Sequence, residues 1–348
     1  MSWRKSFYRG GPVLMSALAG IDIALWDLKA RKLNVPIYQL LGGKLRSKLK
    51  VYAWIGGDRP NDVEAQASAR KAQGFTAVKM NATGDVGWLD SPSALSSCVA
   101  RVSAVRSLGL DAAVDFHGRL HRPMAKQLAA RLAPLQPLFI EEPLLSEHVE
   151  GIRSLSQASF SGSGGVGAGA GGNGGGAYGP VPIALGERLH SRWDLKPFLE
   201  PACCIDVLQP DVCHVGGISE LRRMATMAEA YDVALAPHCP LGPLALAACM
   251  QVDAAAANFA IQEMSLGIHY NTAAAAAAGG GEGGYDLLDY LAEGSRDVWR
   301  VEDGYVRLMD GPGLGIEIDE GKVREASRGA AAWVSPGFFG PGGELREW

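Results

Sequence analysis

The sequence is short of several things, and each shortage closes off a class of protein. It has no excess of either charge sign: 33 basic residues stand against 37 acidic ones, for a net charge of −4, so it lacks the basic field that nucleic acid or an anionic membrane surface attracts. It has no run of 18 apolar residues, and with it no candidate membrane span. The opening MSWRKSFYRGG contains no apolar segment long enough for a signal peptide. Its six cysteines, Cys98, Cys203, Cys204, Cys213, Cys239 and Cys249, never fall as C-x-x-C, which argues against a zinc knuckle or a dithiol redox site. With 348 residues, 47% of them apolar, the chain can bury a large core without disulfides. The cysteines are therefore expected to be free thiols of a reducing compartment, the cytoplasm.

What the chain has in excess is glycine, and the excess is local. Of 45 glycines, 11 lie between Ser161 and Gly179. Elsewhere the texture is ordered. Residues 1–49 read as helical: Leu18, Ile21, Ala24, Leu25 and Leu28 follow helical spacing with Ser16 as N-cap, and a second short helix opens at Pro36 and stops at Gly42-Gly43. These helices are too few to fold alone and must pack on something else. From Lys50 onward, eight short β-prone runs alternate with amphipathic segments: 51–55, 76–81, 111–117, 138–142, 181–187, 205–211, 233–238 and 258–263. Strand–helix alternation at that count predicts a parallel (β/α)8 barrel over 50–265.

The spacing of polar residues at the strand ends sharpens this. Asp115, Glu141, Glu187, Asp211, His238 and Glu263 are separated by 26, 46, 24, 27 and 25 residues. The one long interval contains the Gly/Ser tract, and removing its 19 residues leaves 27. Residues 158–180 are thus expected to be an insertion in one strand–helix unit, flexible and exposed to solvent. The segment 266–348 follows the barrel and contains a second biased stretch, Ala/Gly-rich, at 272–284, expected to be a loop.

In a parallel barrel the strand C-termini converge on one mouth. Asp115, Glu141 and Glu187 end consecutive strands there, and three neighbouring carboxylates call for a hard cation, with Mg2+ the default. Taken singly, each acid would be a solvated loop residue; the matched positions favour a metal. Glu141 and Glu142 contend on the fourth strand: alternation sends them to opposite sides, so one is expected to ligate and the other to make a salt link or to support a ligand. Asp211 and His238 end adjacent strands, so the carboxylate can fix the imidazole tautomer and raise its basicity. His117, two residues beyond Asp115, points to the same mouth, where it could act as a general acid. Glu263 could stabilise an oxyanion or hold a substrate hydroxyl. Lys79 and Asn81 end the second strand and are candidate substrate contacts; Lys79 is a cation for a carboxylate, a candidate base, or a structural residue. His121, His148, His190, His214 and His269 lack such placement and are expected to be surface or structural.

Several segments together carry a resemblance: FYRGGP (7–12), GIDIALWDLK (20–29), VDFHGR (114–119), FIEEP (139–143), GER (186–188), LQPDVCHVGGISE (208–220), MAEAYDVALAPHCPLGPLALAAC (227–249), QEMSLGIHYN (262–271) and PGLGIEID (312–319). In these the chain resembles the enolase superfamily, in its mandelate-racemase-like branch of sugar-acid dehydratases. The resemblance implies a modified TIM-type barrel, α/β in class, with the remnant of an N-terminal α+β capping domain. It implies one Mg2+ bound by Asp115, Glu141 and Glu187, His238 as base assisted by Asp211, His117 as acid, and Glu263 as a polar stabiliser. The activity implied is loss of water from D-galactonate to give 2-dehydro-3-deoxy-D-galactonate. Another aldonate such as gluconate or mannonate, or a non-catalytic relative, are the alternatives. Asn81 stands where lysine-base relatives carry a second lysine, which disfavours racemase chemistry. The expected partners are a small sugar acid and further copies of the chain, with neither nucleic acid nor membrane. In the family a three-stranded sheet precedes these first residues, so the chain is expected to start within the cap and leave an apolar face of its helices uncovered.

Overall fold

The computed structural model describes all residues except 1, 6, 57–61, 82, 159, 162–176, 179, 266–286, 329–336 and 348. The core of the Gly/Ser tract, the Ala/Gly-rich stretch 272–284 and His269 therefore lie outside the described residues. At the feet of the tract, Phe160–Ser161 and Ala177–Tyr178 pair antiparallel as a short hairpin.

Eight parallel strands form the centre: β1 (Lys48–Ile55), β2 (Ala77–Asn81), β3 (Asp111–Asp115), β4 (Ile140–Glu141), β5 (Ile183–Leu185), β6 (Val207–Leu208), β7 (Ala234–Leu235) and β8 (Gln262–Met264). They are hydrogen-bonded in the order β8-β1-β2-β3-β4-β5-β6-β7. The ring closes between β7 and the approach to β8 through one isolated parallel bridge, Leu235 to Phe259. Described helices follow each of the first seven strands and lie outside the ring. The curled parallel sheet with its jacket of helices is the barrel that the alternation predicts.

Strand alternation sorts the interior into a floor and a roof. Tyr52, Ala77, Ala113, Phe139, Ala184, Ala236 and Ile261 point inward and pack as a separate apolar cluster. Alanines opposite aromatic rings fill a narrow barrel without voids. Two residues further along the strands, the inward positions turn polar. Asn81, Asp115 and Glu141 are register partners in one layer, while Lys79 lies one layer lower, opposite Ala113. The outward positions, Val78, Met80, Val114 and Ile140, join the main core between strands and helices.

The N-terminal helix corrects two details of the sequence reading. It runs Pro12–Lys32, with Pro12 in its first turn and Gly11, at φ 77°, as N-cap. Ser16 is therefore not the cap: it lies inside the helix, its hydroxyl donating to Pro12 O at 2.6 Å and meeting His214 Nδ1 at 2.9 Å. Proline needs no N–H partner at a helix start, so the helix begins a turn earlier than the serine suggests. The face that docks is Met15, Ala19, Ile23 and Ala30, all buried, and not the stripe read from the sequence. Ile21, Leu25 and Leu28 of that stripe are 57%, 59% and 64% exposed.

Docking is polar as well as apolar. Asp22 accepts from the Ser219 backbone N–H (2.9 Å) and hydroxyl (2.6 Å), and Trp26 Nε1 donates to Ser219 Oγ at 2.9 Å. Ser219 opens the helix Ile218–Glu229, whose N-cap, Gly217, has no side chain to offer. Asp22 thus caps that helix from another element, and a Cβ on Gly217 would fall 2.6 Å from the Asp22 side chain. Further along, Asp27 Oδ1 accepts from Leu314 N, and Arg31 bridges Asp27 to Glu317. On the C-terminal side, Tyr305–Arg307 extends β1 antiparallel, and Phe338–Phe339 pairs with Leu345–Arg346. No helix among the described residues is long and apolar enough to cross a membrane.

Candidate active site

The polar roof of the barrel gathers Lys79, Asp115, His117, Glu141, Glu187, Asp211, His238 and Glu263. At its centre sits a buried ammonium. Lys79 Nζ donates to Glu141 Oε1 at 3.0 Å and lies 2.9 Å from Glu141 Oε2, 3.1 Å from Glu263 Oε1 and 3.6 Å from Asp115 Oδ2. Its own inward position on β2, one layer below Asp115, is what lets its long stem rise into the three carboxylates. The Tyr52 ring lies 5.7 Å away, so an aromatic face supports the ammonium too. Asn81 is fully buried at the end of β2, level with Asp115.

The two histidines flank this group. His238 Nδ1 lies 2.9 Å from Asp211 Oδ2, leaving Nε2 turned toward Glu187 Oε2 at 3.2 Å. Past β3 the chain turns through a left-handed residue, His117 at φ 49°, whose own N–H bonds Asp115 Oδ1. That turn brings His117 Nε2 to 2.9 Å from Asp115 Oδ2, while Nδ1 is buried with no hydrogen-bond partner. Burial works against charging either ring, but the carboxylates outweigh it. Asp115 raises His117, and Glu187, Glu263 and Asp211 push His238 up to about 10.

The carboxylates divide in the same way. Burial opposes ionisation of Asp115, yet His117 and Lys79 hold it well below the usual range. His238 and His117 likewise keep Glu187 low against burial. Glu141, by contrast, is pushed up to about 8 by burial and by Asp115, in spite of Lys79. The group has more carboxylate than fixed cation, which is the condition that favours a further positive charge.

The atoms open to such a charge are identifiable. Ligand atoms of Asp115, His117 and Glu187 all lie within 4.8 Å of one another. Asp115 Oδ2 and Glu187 Oε2 are buried and face imidazole nitrogens, His117 Nε2 at 2.9 Å and His238 Nε2 at 3.2 Å, with lone pairs left over for a cation. Both oxygens of Glu141 are already engaged, by Lys79 and by Gln209 Nε2 at 2.7 Å. A carboxylate has about four lone-pair sites, so Glu141 retains capacity for a cation. Asp115, Glu187 and Glu141 offer the hard oxygens that Mg2+ favours, although the close cluster takes in the His117 imidazole and leaves Glu141 outside it.

Three supporting residues escaped the sequence reading. Gln209 follows β6 directly and lies against Gly186, whose φ of 147° and missing side chain let the two segments close up; a Cβ there would be 2.7 Å from Gln209 N. Arg188 donates from Nε to Glu142 Oε2 (2.7 Å) and from Nη2 to His117 O (2.8 Å), so it fixes the His117 turn. This is the salt link expected of Glu142, which lies buried at φ 38° just past the strand. The Cys239 backbone N–H donates to Glu263 Oε2 at 2.8 Å, orienting that carboxylate. Only the GER and LQPD stretches hinted at Arg188 and Gln209, and spacing alone gives no signal for a partner on another strand. Of the remaining histidines, His214 joins Ser16, His190 contacts His214 O, and His121 stacks on Trp88.

Comparison with known proteins agrees with this architecture. Residues 62–322 match the family described as enolase C-terminal domain-like, and residues 2–42 match the mandelate racemase / muconate lactonizing enzyme N-terminal domain. The D-galactonate dehydratase of Variovorax paradoxus (strain S110) is 44% identical over 99% of this chain and 82% of its own length. That of Ralstonia pickettii (strain 12J) is 46% identical over the same shares. Among solved structures, an enolase from Agrobacterium radiobacter with bound sodium and L-malate superposes with a TM-score of 0.78. It is 31% identical and covers 99% of this chain and 82% of that one.

Proposed function

The chain belongs to the enolase superfamily, in its mandelate racemase and muconate lactonizing enzyme branch, and on that premise we propose that it is a hydro-lyase converting D-galactonate to 2-dehydro-3-deoxy-D-galactonate. The observation that carries the reading is the pair of imidazoles, one on each flank of the buried carboxylate group. Relatives named D-galactonate dehydratase at 44% and 46% identity supply the substrate.

In this reading Asp115, Glu141 and Glu187 would hold a divalent cation. Bound there, it would supply the positive charge that stabilises an enediolate and, by taking the Glu187 oxygens, would relieve His238 of the carboxylate that raises it. The rest belongs to the chain's own groups. His238, with Nδ1–H held by Asp211, offers the Nε2 lone pair to the substrate's α-proton. His117, held protonated by Asp115, gives the proton on Nδ1 to the 3-hydroxyl as the C3–O bond breaks and water leaves. The enol that remains tautomerises to the 2-oxo-3-deoxy acid. Lys79 keeps the carboxylates of Glu141 and Glu263 in place, and Glu263 accepts a hydrogen bond from a substrate hydroxyl.

The test is turnover of purified protein with Mg2+ and a panel of D-galactonate, D-gluconate and D-mannonate, followed by formation of the 2-oxo acid. D-galactonate is expected to be consumed fastest. Preference for another member of the panel would move the substrate, and no turnover of any would reject the dehydratase reading.

A further inference from the structure

A cavity of about 440 Å3 lies among loops at the C-terminal end of the barrel, lined by none of the candidate catalytic residues themselves. It is walled by the loop after β2, the loop after β3 and the C-terminal hairpin, through Trp88, Arg119, His121, Glu344, Arg346 and Glu347. Loops that leave the C-terminal ends of β2 and β3 lie at the mouth, so this cavity and the catalytic group share one end of the barrel. They also share one stretch of chain: His117 faces the carboxylates, and Arg119, two residues on and largely buried, lines the cavity. The Arg119 charge is near enough to act on the His117 ring.

The lining is unusual for its mixture. The Trp88 indole lies flat on His121, with ring centroids 3.6 Å apart and planes at 9°, yet it remains 72% exposed. It is a rigid plate with most of its surface uncovered. Arg119 and Arg346 bring fixed donors, and Glu344 and Glu347 bring acceptors, with Arg346 Nη2 paired to Glu344 at 3.1 Å. An apolar ligand would strip water from these charges, and a second anionic group would meet two carboxylates. A neutral chain of hydroxylated carbons suits all of them: its C–H faces lie on the ring, and each hydroxyl both donates and accepts. The volume is within the range of small-ligand pockets, about 300–1,000 Å3.

We infer that this cavity is the subsite for the hydroxylated tail of the sugar acid, with Arg119 and the Trp88 plate as its anchors, and that the C-terminal hairpin selects among aldonate epimers. The inference rests on the reading that the acid's carboxylate end lies at the Asp115–Glu187 group. Epimers differ in the direction of one hydroxyl, and donors and acceptors fixed in space turn that difference into a large energetic one.

The experiment compares two acids on the full chain with Mg2+: D-galactonate, and 2,3-dihydroxybutanoate, which has the α-proton and the 3-hydroxyl but no hydroxylated tail. Arg119→Met and Trp88→Leu should each lower the ratio of kcat/KM for the long acid over the short one by about tenfold or more. Glu347→Gln should narrow the preference for D-galactonate over D-gluconate. An equal loss on both acids would place these residues in the core chemistry, and no loss on D-galactonate would remove them from binding; either overturns the inference. Trp88 is exposed, so Trp88→Leu remains informative if Arg119→Met fails to fold. Should the wild type dehydrate neither acid, the dehydratase reading fails on its own, and binding decides the subsite. A fluorescence change on adding D-galactonate that is lost in Trp88→Leu supports it, and no change in the wild type overturns it.

Discussion

At the scale of single residues, the site predicts effects that can be told apart. Asp115→Asn removes an open, buried oxygen from the cation-holding group, and is expected to abolish Mg2+ binding in calorimetry while leaving the circular dichroism spectrum unchanged. Wild-type affinity in that variant would exclude Asp115 as a ligand. His238→Asn should stop exchange of the α-hydrogen with solvent deuterium, and His117→Asn should spare exchange while blocking loss of water, each at a cost of roughly 10²–10⁴-fold in the step it serves. Normal exchange in His238→Asn would assign the base elsewhere, with Lys79 next in line. A different residue governs pH and stability. Asp253 is fully buried on the helix Pro243–Ala255, and neither of its carboxylate oxygens has a hydrogen-bond partner among the described residues. Burial raises its pKa well above the ordinary value, against a smaller opposing effect of Arg46. An acid raised in the folded state holds a proton that the unfolded chain has released, so folding costs more as pH climbs from the unfolded pKa, about 4, toward the folded one. Asp253→Asn removes that cost. Its gain in unfolding free energy over wild type should be small at pH 4 and grow with pH, at up to about 1.4 kcal/mol per pH unit; a gain independent of pH would show that Asp253 is already ionised in the fold.

At the scale of elements, the strand ends were legible and their cross-partners were not. Asp115, Glu141 and Glu187 could be placed because a run of apolar residues followed by an acid has one meaning in a parallel barrel. Gln209, Arg188 and the Cys239 N–H could not, because each acts across strands far apart in sequence. The N-terminal helix shows a second limit. It has apolar residues on both sides, so helical spacing picks out the Ile21–Leu25–Leu28 stripe as readily as the Met15–Ala19–Ile23 face that packs. The deciding residues are polar: Asp22, Trp26 and Asp27, on the docking side. Asp22→Ala should therefore cost about 0.5–2 kcal/mol, the usual worth of a helix cap, although it lies outside the helix it caps. Chemical denaturation with an unchanged midpoint would show that water replaces the aspartate without loss.

At the scale of the whole molecule, the count of eight strands followed from spacing, while the boundaries of the ring did not. Several strands are only two residues long, too brief for any pattern of alternation to mark their ends. The exposed stripe is a whole-molecule property too, because an uncovered apolar face favours association between copies. Leu25→Lys with Leu28→Gln should leave the unfolding free energy within about 0.5 kcal/mol of wild type, as surface changes do, and should reduce self-association in light scattering. A large fall in Tm would mean that this face packs in the folded chain.

The ring is closed by a single stitch. Leu235 donates to Asn258 O and accepts from Ala260 N, both at 2.8 Å, and no longer ladder joins β7 to β8. Side chains do the remaining sewing: Asn258 Nδ2 reaches Val233 O, Gln262 Nε2 reaches Pro237 O, and Glu263 takes the Cys239 N–H. Glu263 is thus a fastener as well as a charge, and His238 stands on the opposite lip of the same seam. If the barrel breathes, it opens here first, with the Leu235 and Ala260 amides exchanging hydrogen sooner than those of β1. Every such opening would carry His238 away from Glu263, and a weakened Glu263 contact would make openings more frequent, so the rigidity of the seam would set how long the two groups stay in register.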